Sequence, residues 1–316
     1  MKTKVFINGS EGTTGLRIFE RFALRDDVEL LKIPSELRKD PNEVKKYINA
    51  SDITFLCLPD AAAREAVALV ENENVRIIDT STAHRTEEGW AYGYPELSPA
   101  HRDAIKKGKR IAVPGCHATG FITMVYPLVA GGILPADYPV SSYSLTGYSG
   151  GGKKMIAEYE GENRIPELDS PRVYGLGQTH KHLKEMKAIT GLAKEPLFSP
   201  IVADYYSGML VGLPLYADML HEIKTGKEVH EFFDRYYAGE KFVKVMPFGQ
   251  EADSRGFLGS NNRSGWDGIE IFVTGNDDRI LVSARFDNLG KGASGAAMQC
   301  FNIMIGCEED KGLNLE

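Results

Sequence analysis

The sequence lacks the features that mark membrane, secreted and nucleic-acid-binding proteins. No segment approaches the about 18 consecutive apolar residues that a transmembrane helix needs, and the first residues, MKTKVFINGS, contain too few for a signal peptide. The net charge is −7 and no long basic stripe is present, so the chain offers little to a nucleic-acid backbone. We therefore expect a cytoplasmic protein that acts on a small molecule, with no membrane or nucleic-acid partner.

Paired cysteines are also missing. The four cysteines show no CxxC spacing, so neither a zinc site nor a disulfide framework is indicated, and free thiols are expected. Cys57, Cys300 and Cys307 lie in apolar segments and are typical of small packed residues. Cys116 differs, because in AVPGCHATG it follows a Pro-Gly pair and begins a helical pattern. Backbone N–H groups and the helix dipole at such a position favour the thiolate, which makes Cys116 a candidate nucleophile.

The length and the order of segments predict two domains. A chain of 316 residues exceeds the roughly 150 residues typical of one core. The segments TKVFIN, VELLKIP, DITFLCLP, VRIIDTST and KRIAVPG read as strands that alternate with helices, as in a Rossmann-type doubly wound parallel sheet. We therefore predict a dinucleotide-binding domain over residues 1–115, completed by a C-terminal helix within 291–316.

The middle of the chain has a different pattern. VSSYSLTGYS, IEIFVTGN and RILVSARFDN alternate in the manner of antiparallel strands, with Asn276 and Asp277 as turn residues between the last two. This pattern predicts a second, α+β domain over residues 116–290, built on a mixed or antiparallel sheet. A helix is expected directly after Cys116, ending at Gly131 and Gly132.

The first strand leads into a glycine-rich loop. Its glycines are spaced GxxGxxG, a variant of the dinucleotide-binding fingerprint, and the following pattern predicts a helix that buries Leu16, Phe19 and Phe22. The alternative is a glycine-rich turn without a ligand. The loop residues that we expect at a dinucleotide are Gly9, Ser10, Gly12, Thr13, Thr14 and Gly15.

Residues after the other strands extend this cofactor site. Ser35, Arg38 and Lys39 follow the second strand and suit the 2′-phosphate of NADP, whereas Glu36 is an opposing signal. Because ligands of such sheets bind beyond the carboxyl ends of the strands, polar residues there join the prediction. These additional residues are Pro59 and Ser81.

A pair of histidines is the second candidate for chemistry. His180 and His182 share a face on a strand and diverge on a helix. A metal needs a third ligand, which the spacing does not provide, so no metal site is predicted. A general acid or base that works with Cys116 fits better, since the proton affinity of histidine suits transfer near neutral pH.

The motifs, in their order, resemble those of N-acetyl-γ-glutamyl-phosphate reductases, and the chain length resembles the short branch of that family. The motifs are GSEGTTG, DTSTAHR, YGYPEL, VPGCHATG, SGGG, HKH and DNLGKGASGAAMQ. PGC-x-A-T with a later H-x-H is the most specific. Val113, Gly151 and Thr179 depart from the commoner long-branch pattern, away from the thiol and the histidines.

The resemblance implies reduction of an acyl phosphate to an aldehyde with NADPH through a thioester on Cys116. It implies that His180 is the acid/base residue, that His182, Tyr174 and Ser149 contact substrate, and that Asn288 contacts the nicotinamide. It also implies a homodimer or homotetramer. For Tyr174 the alternative is a packed aromatic residue, and for Asn288 a turn residue.

Arg85, just past a strand end, is the cation that we expect at the departing phosphate. Its alternative is a surface arginine paired with Glu87 or Glu88.

Other functions remain open from the sequence. One is the carrier-linked aminoadipyl-phosphate reductase of lysine synthesis. Another is aspartate-semialdehyde dehydrogenase, whose cysteine follows an asparagine, whereas Gly115 precedes Cys116 here. A third is a non-catalytic, NADP-binding redox sensor with Cys116 as its regulatory thiol.

Overall fold

The structure, a computed structural model, describes residues 2–249 and 255–316. The chain forms two compact units. The first comprises Met1–Gly115 with Ala293–Leu313, and the second Cys116–Gly292 with Asn314–Glu316. Within the described ranges, no helix combines the length and apolar character needed to cross a membrane.

The first unit is built on a parallel sheet. Its strands are β1 (Thr3–Asn8), β2 (Val28–Leu31), β3 (Ile53–Leu56), β4 (Arg76–Asp79), β5 (Ala91–Tyr92) and β6 (Arg110–Ala112). Its helices are α1 (Thr13–Ala23), α2 (Pro41–Ala50), α3 (Asp60–Ala68), α4 (Pro99–Lys107) and α9 (Gly295–Ile305). The strand order is β2-β1-β3-β4-β6-β5, and each pairing is parallel. The predicted Rossmann-type sheet is confirmed.

Successive residues of β1 point to opposite faces of this sheet and into different apolar clusters. Val5 and Ile7 pack with residues of α1, α4 and α9, whereas Phe6 packs with residues of α2 and α3. This alternation follows from the two-residue repeat of a strand, and it buries both faces as a doubly wound fold requires.

Helix α1 is rotated from the predicted orientation. Its buried residues are Gly15, Ile18 and Phe22, while Leu16 is 46% exposed. A Cβ atom at Gly15 would lie 2.3 Å from the backbone oxygen of Gly9, so only glycine permits this approach of the helix to the loop. That close contact fixes which face of α1 points inward. The predicted face of Leu16, Phe19 and Phe22 is therefore wrong for Leu16.

The second unit is built on a mixed sheet. Its strands are β7 (Ser141–Gly147), β8 (Arg172–Val173), β9 (Leu197–Ala203), β10 (Met209–Tyr216), β11 (Val243–Val245), β12 (Ile269–Gly275) and β13 (Arg279–Phe286). Its helices are α5 (Cys116–Ala130), α6 (Gly152–Glu160), α7 (Leu183–Thr190) and α8 (Gly226–Tyr236). The order is β11-β12-β13-β10-β7-β9-β8, with β7–β9 and β11–β12 parallel and the other pairs antiparallel. The predicted fold class is confirmed.

Helix α5 packs tightly on this sheet. Gly120, one turn after Cys116, lies so close that a Cβ atom there would be 2.5 Å from Val211 of β10 and 2.8 Å from Phe286 of β13. The helix ends at Ala130, before Gly131 and Gly132, as its sequence predicts. This close packing fixes the position of the helix start, where Cys116 lies.

Candidate active site

The proposed nucleophile is the first residue of a buried helix. Cys116 begins α5 directly after Pro114 and Gly115, and its side chain is partly exposed. Gly292 faces it, because a Cβ atom at Gly292 would lie 3.0 Å from the Cβ of Cys116. A thiol at the start of a long helix is favoured as the thiolate by the helix dipole.

The residue after the cysteine, His117, forms two short hydrogen bonds. Its Nδ1 lies 2.7 Å from Oγ of Ser144, and its Nε2 lies 2.6 Å from the hydroxyl oxygen of Tyr174. The imidazole is 3% exposed. Burial, followed by the charges of His180 and Lys181, lowers the pKa of His117 to about 3. The ring is therefore neutral at the pH at which a cell works.

The histidines predicted from the sequence meet at this residue. The ring centroid of His117 lies 5.3 Å from that of His180 and 5.6 Å from that of His182, and the latter two are 4.7 Å apart. His180 and His182 lie in the turn before α7, neither on a strand nor within the helix. The structure thus brings both histidines together with the residue that follows Cys116.

The loop from Tyr174 to His182 is anchored on β9. The backbone N–H of Tyr174 donates to the carbonyl of Pro200 at 3.0 Å. The side chain of Gln178 donates to the carbonyl of Phe198 at 2.8 Å and accepts from its N–H at 2.9 Å. Gln178 adopts a φ of +52°, in the left-handed region. These contacts hold the chain in the conformation that presents Tyr174 and His180.

The tautomer of His180 follows from a backbone contact. The N–H of His182 donates to Nδ1 of His180 at 3.2 Å. In a neutral imidazole, one nitrogen accepts and the other carries the proton, so Nε2 of His180 is the donor. In this tautomer His180 therefore has an Nε2–H group that can stabilise a negative oxygen by a hydrogen bond.

Tyr174 is linked to the cysteine electrostatically. Burial raises the pKa of its phenol, and the charge of Cys116 raises it further. The phenol therefore stays protonated at neutral pH. The structure thus gives Tyr174 a polar contact with His117 rather than a packing role alone.

The glycine loop of the first unit has the geometry of a dinucleotide-binding turn. Gly9 has a φ of +90°, and a Cβ atom there would lie 2.3 Å from the carbonyl oxygen of Cys57. A Cβ atom at Gly12 would lie 3.4 Å from the carbonyl oxygen of Gly9, which is ordinary van der Waals contact. Gly12 also precedes the first residue of α1, which has no side-chain cap. The start of α1 therefore leaves backbone donors for a phosphate group.

The predicted 2′-phosphate site lies beside this loop. Glu11 of the loop accepts a hydrogen bond from Ser35 at 3.2 Å and forms an ion pair with Arg38. Glu36 and Lys39 are exposed on the same segment. Ser35 and Arg38 are therefore held together, with an acidic residue between them that the sequence analysis did not include.

Other predicted site residues contact backbone groups and neighbouring side chains of their own unit. Arg85 is 8% exposed and donates to the carbonyls of Val113 at 2.8 Å and Thr80 at 3.1 Å, while Glu87 pairs with Arg64. Arg85 is therefore a buried residue that binds backbone carbonyls, and its role at a phosphate stays a prediction.

Ser81 is buried and donates to Asp79 at 2.7 Å, and Pro59 precedes α3 as its N-cap. In the second unit, Asn288 accepts from the N–H of Gly208 at 2.8 Å and donates to Ser149 at 3.1 Å. Both Asn288 and Ser149 are 1% exposed. In this structure these four residues stabilise local backbone, and their roles at a ligand stay predictions.

His117 and Glu11 are the candidate functional residues that the sequence analysis missed. A signal was present for each: His117 follows the helix-start cysteine directly, and Glu11 lies inside the glycine motif. Their partners were not visible, since Ser144 lies 27 positions from His117 and Ser35 lies 24 from Glu11. In the described ranges, no group of three or more His, Cys, Asp or Glu side chains is arranged to hold a metal ion.

Comparison with known proteins identifies the family. Residues 23–107 match the model described as "Semialdehyde dehydrogenase, NAD binding domain", and residues 116–288 match "Semialdehyde dehydrogenase, dimerisation domain". A protein of Nostoc sp. named N-acetyl-gamma-glutamyl-phosphate reductase 2 is 47% identical over 99% of both chains. The chain belongs to the N-acetyl-γ-glutamyl-phosphate reductase family. The resemblance drawn from the motifs is confirmed.

Further members of this family and its structural neighbours agree. A protein of the same family name from Brucella ovis is 44% identical, over 97% of this chain and all of its own. Aspartate-semialdehyde dehydrogenase from Francisella tularensis has a TM-score of 0.73 at 16% identity, covering 96% of this chain and 100% of its own. The corresponding enzyme II from Vibrio cholerae has a TM-score of 0.71 at 14% identity, covering 97% and 99%. These two solved structures share the fold.

Proposed function

We propose that the protein is an oxidoreductase of arginine biosynthesis that reduces N-acetyl-γ-glutamyl phosphate with NADPH to N-acetylglutamate 5-semialdehyde and phosphate. The observation that carries the proposal is Cys116 at the start of α5, followed directly by His117, whose ring lies near those of His180 and Tyr174. The full-length relatives named for this activity support the same substrate.

The first step belongs to Cys116. Its thiolate attacks the acyl carbon of the acyl phosphate, and the C–O bond to phosphate breaks, which leaves a thioester on the sulphur. A covalent intermediate of this kind divides one difficult step into two easier ones. The helix start that holds Cys116 favours the thiolate that this attack requires.

His180 has the role of proton donor. The thiolate is consumed in the first step and regenerated in the last, so the one proton that the reaction takes up goes to the departing phosphate. A neutral imidazole cannot give up its single N–H proton, so His180 donates this proton only after its ring has taken one up from solvent. In the neutral form, which accepts at Nδ1, its Nε2–H stabilises the carbonyl oxygen as it becomes negative. His182 is proposed to contact substrate, and Arg85 to act near phosphate.

The dinucleotide is proposed to bind along the loop from Gly9 to Gly15, with Ser35, Arg38 and Lys39 at the 2′-phosphate of NADP. The uncapped start of α1 after Gly12 and the grouping of Ser35 with Arg38 support this assignment. The chemistry that the dinucleotide supplies when bound is hydride transfer to the thioester carbon. Release of the aldehyde then returns Cys116 to its thiolate form.

We further propose that the enzyme works in the cytoplasm as a homo-oligomer. The match of residues 116–288 to a family model described as a dimerisation domain supports self-association. Light scattering after size-exclusion chromatography measures the mass of the particle. A mass equal to that of one chain, 34.8 kDa, would overturn this part of the proposal.

The reverse reaction tests the activity. Purified protein is mixed with NADP⁺, phosphate and N-acetylglutamate semialdehyde, and NADPH formation is followed, with aspartate semialdehyde as the control substrate. Phosphate-dependent turnover of the acetylated substrate alone is expected. Turnover of aspartate semialdehyde would contradict the proposal and favour an aspartate-semialdehyde dehydrogenase. Turnover of neither substrate would also contradict it and favour the carrier-linked lysine enzyme or a redox sensor.

A further inference from the structure

The edge strand β8 stops before it has paired along all of β9. After its last residue, the N–H of Tyr174 still donates to the carbonyl of Pro200 at 3.0 Å. Hydrogen-bonded pairs recur at every second residue of an antiparallel ladder, so the next pair would join position 176 to Phe198. Leu176 is instead 78% exposed, because the chain leaves the sheet at Gly175, where φ is +62°. The backbone groups of Phe198 on this side are therefore left for another partner.

The side chain of Gln178 takes the place of the missing strand residue. Its amide N–H donates to the carbonyl oxygen of Phe198 at 2.8 Å, and its carbonyl oxygen accepts from the N–H of Phe198 at 2.9 Å. A primary amide carries the same donor and acceptor as a peptide group, so these two bonds reproduce a hydrogen-bonded pair of an antiparallel ladder. A side chain thus completes the edge of β9, while the backbone of the loop follows a different path.

The backbone of Gln178 is adapted to this contact. Its φ of +52° lies in the left-handed region, which costs free energy for a residue other than glycine. Its own N–H donates to the carbonyl of Gly175 at 3.0 Å and closes a turn. Backbone strain of this kind persists where surrounding contacts fix the conformation, and it is concentrated at functional sites. The two hydrogen bonds to Phe198 are contacts that fix it here.

The ring of the same phenylalanine contacts His180. Phe198 is 1% exposed, and its ring centroid lies 5.4 Å from that of His180, with an angle of 68° between the ring planes. Thr179 alone separates Gln178 from His180 in the sequence. One residue of β9 therefore holds Gln178 through its backbone and packs against His180 through its side chain.

We propose that Gln178 is a positioning residue that holds the imidazole of His180 in place by clamping its loop to Phe198. This inference rests on the proposed role of His180 in the reaction. Gly175 and Gly177 give the loop a flexible backbone. Without the clamp, the imidazole would occupy the reactive position for only part of the time, and a misplacement of about 1 Å can cost about 100-fold in rate.

Steady-state kinetics of the reverse reaction provides the first measurement. Gln178→Ala loses both hydrogen bonds, so kcat is expected to fall about tenfold, while KM for the semialdehyde and for NADP⁺ stays within about twofold of wild type. Gln178→Asn tolerates the left-handed φ better, but its side chain is one methylene shorter and cannot reach both groups of Phe198. We expect it to lose as much as Gln178→Ala. Wild-type kcat in Gln178→Asn would overturn the proposal, because the backbone conformation alone would then be sufficient.

Asn276→Ala is the matched control. The side chain of Asn276 is exposed in the turn between β12 and β13 and accepts from the N–H groups of Asp278 at 3.0 Å and Arg279 at 2.9 Å. Its removal also deletes two side-chain-to-backbone hydrogen bonds from the second unit, and kcat is expected to stay unchanged. Circular dichroism and thermal unfolding establish that each variant is folded. Equal losses of kcat in Gln178→Ala and Asn276→Ala would overturn the proposal.

A double variant tests whether Gln178 acts through His180. When the imidazole is absent, its position no longer matters, so adding Gln178→Ala to His180→Asn is expected to cause no further fall in kcat. An undiminished fall in that background would overturn the proposal and leave the proposed function in place.

The imidazole ¹⁵N resonances of His180 give a readout that does not require turnover. They are assigned by their absence from the spectrum of His180→Asn. In wild type they should show the neutral tautomer protonated at Nε2, because Nδ1 accepts from the N–H of His182 at 3.2 Å. Gln178→Ala should shift them toward the averaged values of a mobile ring, and Asn276→Ala should not.

Unchanged His180 resonances in Gln178→Ala would overturn the proposal even if turnover fell. Wild-type kcat in His180→Asn would instead count against the proposed role of His180 in the reaction. In that case the resonances would still decide whether Gln178 holds the ring, so the two failures are distinguishable.

Discussion

The two units present chemistry in different ways. In the first unit, the glycine loop offers backbone groups, and the ion pair beside it is formed by exposed side chains, 41% exposed for Arg38 and 54% for Glu11. In the second unit, Cys116 is followed by a side chain, His117, that is 3% exposed and contacts residues from two other elements. Exposed charges are screened by water and salt, whereas buried hydrogen bonds are not. Substitutions should therefore have larger effects on the second site than on the first.

Cys116→Ser should cause the largest loss. A serine hydroxyl is not ionised at neutral pH, so no thioester forms, and turnover should fall at least about 1,000-fold. NADPH binding, measured by fluorescence titration, should persist because the glycine loop is unchanged. Cys307→Ser is the control, since that thiol lies in the other unit, and it should retain activity. Comparable turnover in Cys116→Ser and Cys307→Ser would rule out the thioester.

His180→Asn is expected to reduce turnover by about 100-fold or more, the usual range for a lost acid/base group. Steady-state kinetics should show the loss in kcat rather than in KM. His182→Asn is the matched comparison, because its ring lies in the same cluster, and it should affect KM more. If His182→Asn lowers kcat more than His180→Asn does, the roles of the two residues are reversed.

Two glycine substitutions test the conformation of the glycine loop in the first unit. Gly9→Ala places a methyl group where φ is +90° and the carbonyl of Cys57 is 2.3 Å away, so it should lower the free energy of unfolding by about 1–3 kcal/mol or more. Gly12→Ala meets no such contact and should leave stability nearly unchanged while weakening dinucleotide binding. Thermal unfolding and titration with NADPH separate the effects. Equal stability losses in both variants would contradict this reading of the loop.

The burial of His117 predicts a pH dependence of stability. Burial lowers its pKa to about 3 in the folded protein, from an ordinary value of 6.5. Below about pH 6.5 the unfolded chain binds a proton at this histidine that the folded chain does not bind. The contribution of His117 to the free energy of unfolding is therefore fully present above about pH 6.5 and is lost as the pH falls toward 3. The loss is at most about 1.4 kcal/mol per pH unit.

Urea unfolding between pH 4 and 7 measures this dependence. The slope of stability against pH should be smaller in His117→Gln than in wild type. It should be unaltered in His230→Gln, since that ring lies outside the cluster and bonds the carbonyl of Met246. Parallel pH slopes for wild type and His117→Gln would show that His117 titrates normally.

The smallest effects belong to the exposed pair at the 2′-phosphate site. Arg38→Ala should weaken NADP⁺ binding by about tenfold and leave NAD⁺ unaffected. Glu11→Gln removes a carboxylate that pairs with Arg38 and would repel a phosphate, so NADP⁺ binding should tighten by about threefold. Calorimetry at low and high salt measures both. Glu36→Gln is the control, because it removes one negative charge from the same segment. If Glu36→Gln tightened NADP⁺ binding as much as Glu11→Gln does, the effect would be one of general charge and not of the pairing with Arg38.

The sequence predicted the glycine loop of the first unit better than the surroundings of Cys116 and His117 in the second unit, and the reason is physical. A turn that needs glycine leaves its mark within a few residues, so Gly9, Gly12 and Gly15 were recognisable from their spacing. The rotation of α1 was not, because it depends on the contact of Gly15 with Gly9 and not on apolar periodicity.

In the second site, the helix start at Cys116 is likewise a local signal. The approach of Ser144 to His117 depends on how β7 packs against α5, and no local pattern encodes that packing. His180 and His182 meet through a turn that neither strand nor helix periodicity describes. Arg85 was correctly placed just past a strand end, but its contacts with backbone carbonyls, like the contact of Asn288 with a backbone amide, depend on tertiary packing.

The central claim is that Cys116 carries the acyl group. N-acetylglutamate semialdehyde and NADP⁺ are mixed with the protein in the absence of phosphate, and both NADPH and the mass of the Cys116 peptide are measured. The account predicts a burst of NADPH stoichiometric with protein subunits, acylation of Cys116 alone, and loss of that acyl group when phosphate is added. A burst without acylation of Cys116, or acylation of a different residue, would contradict it.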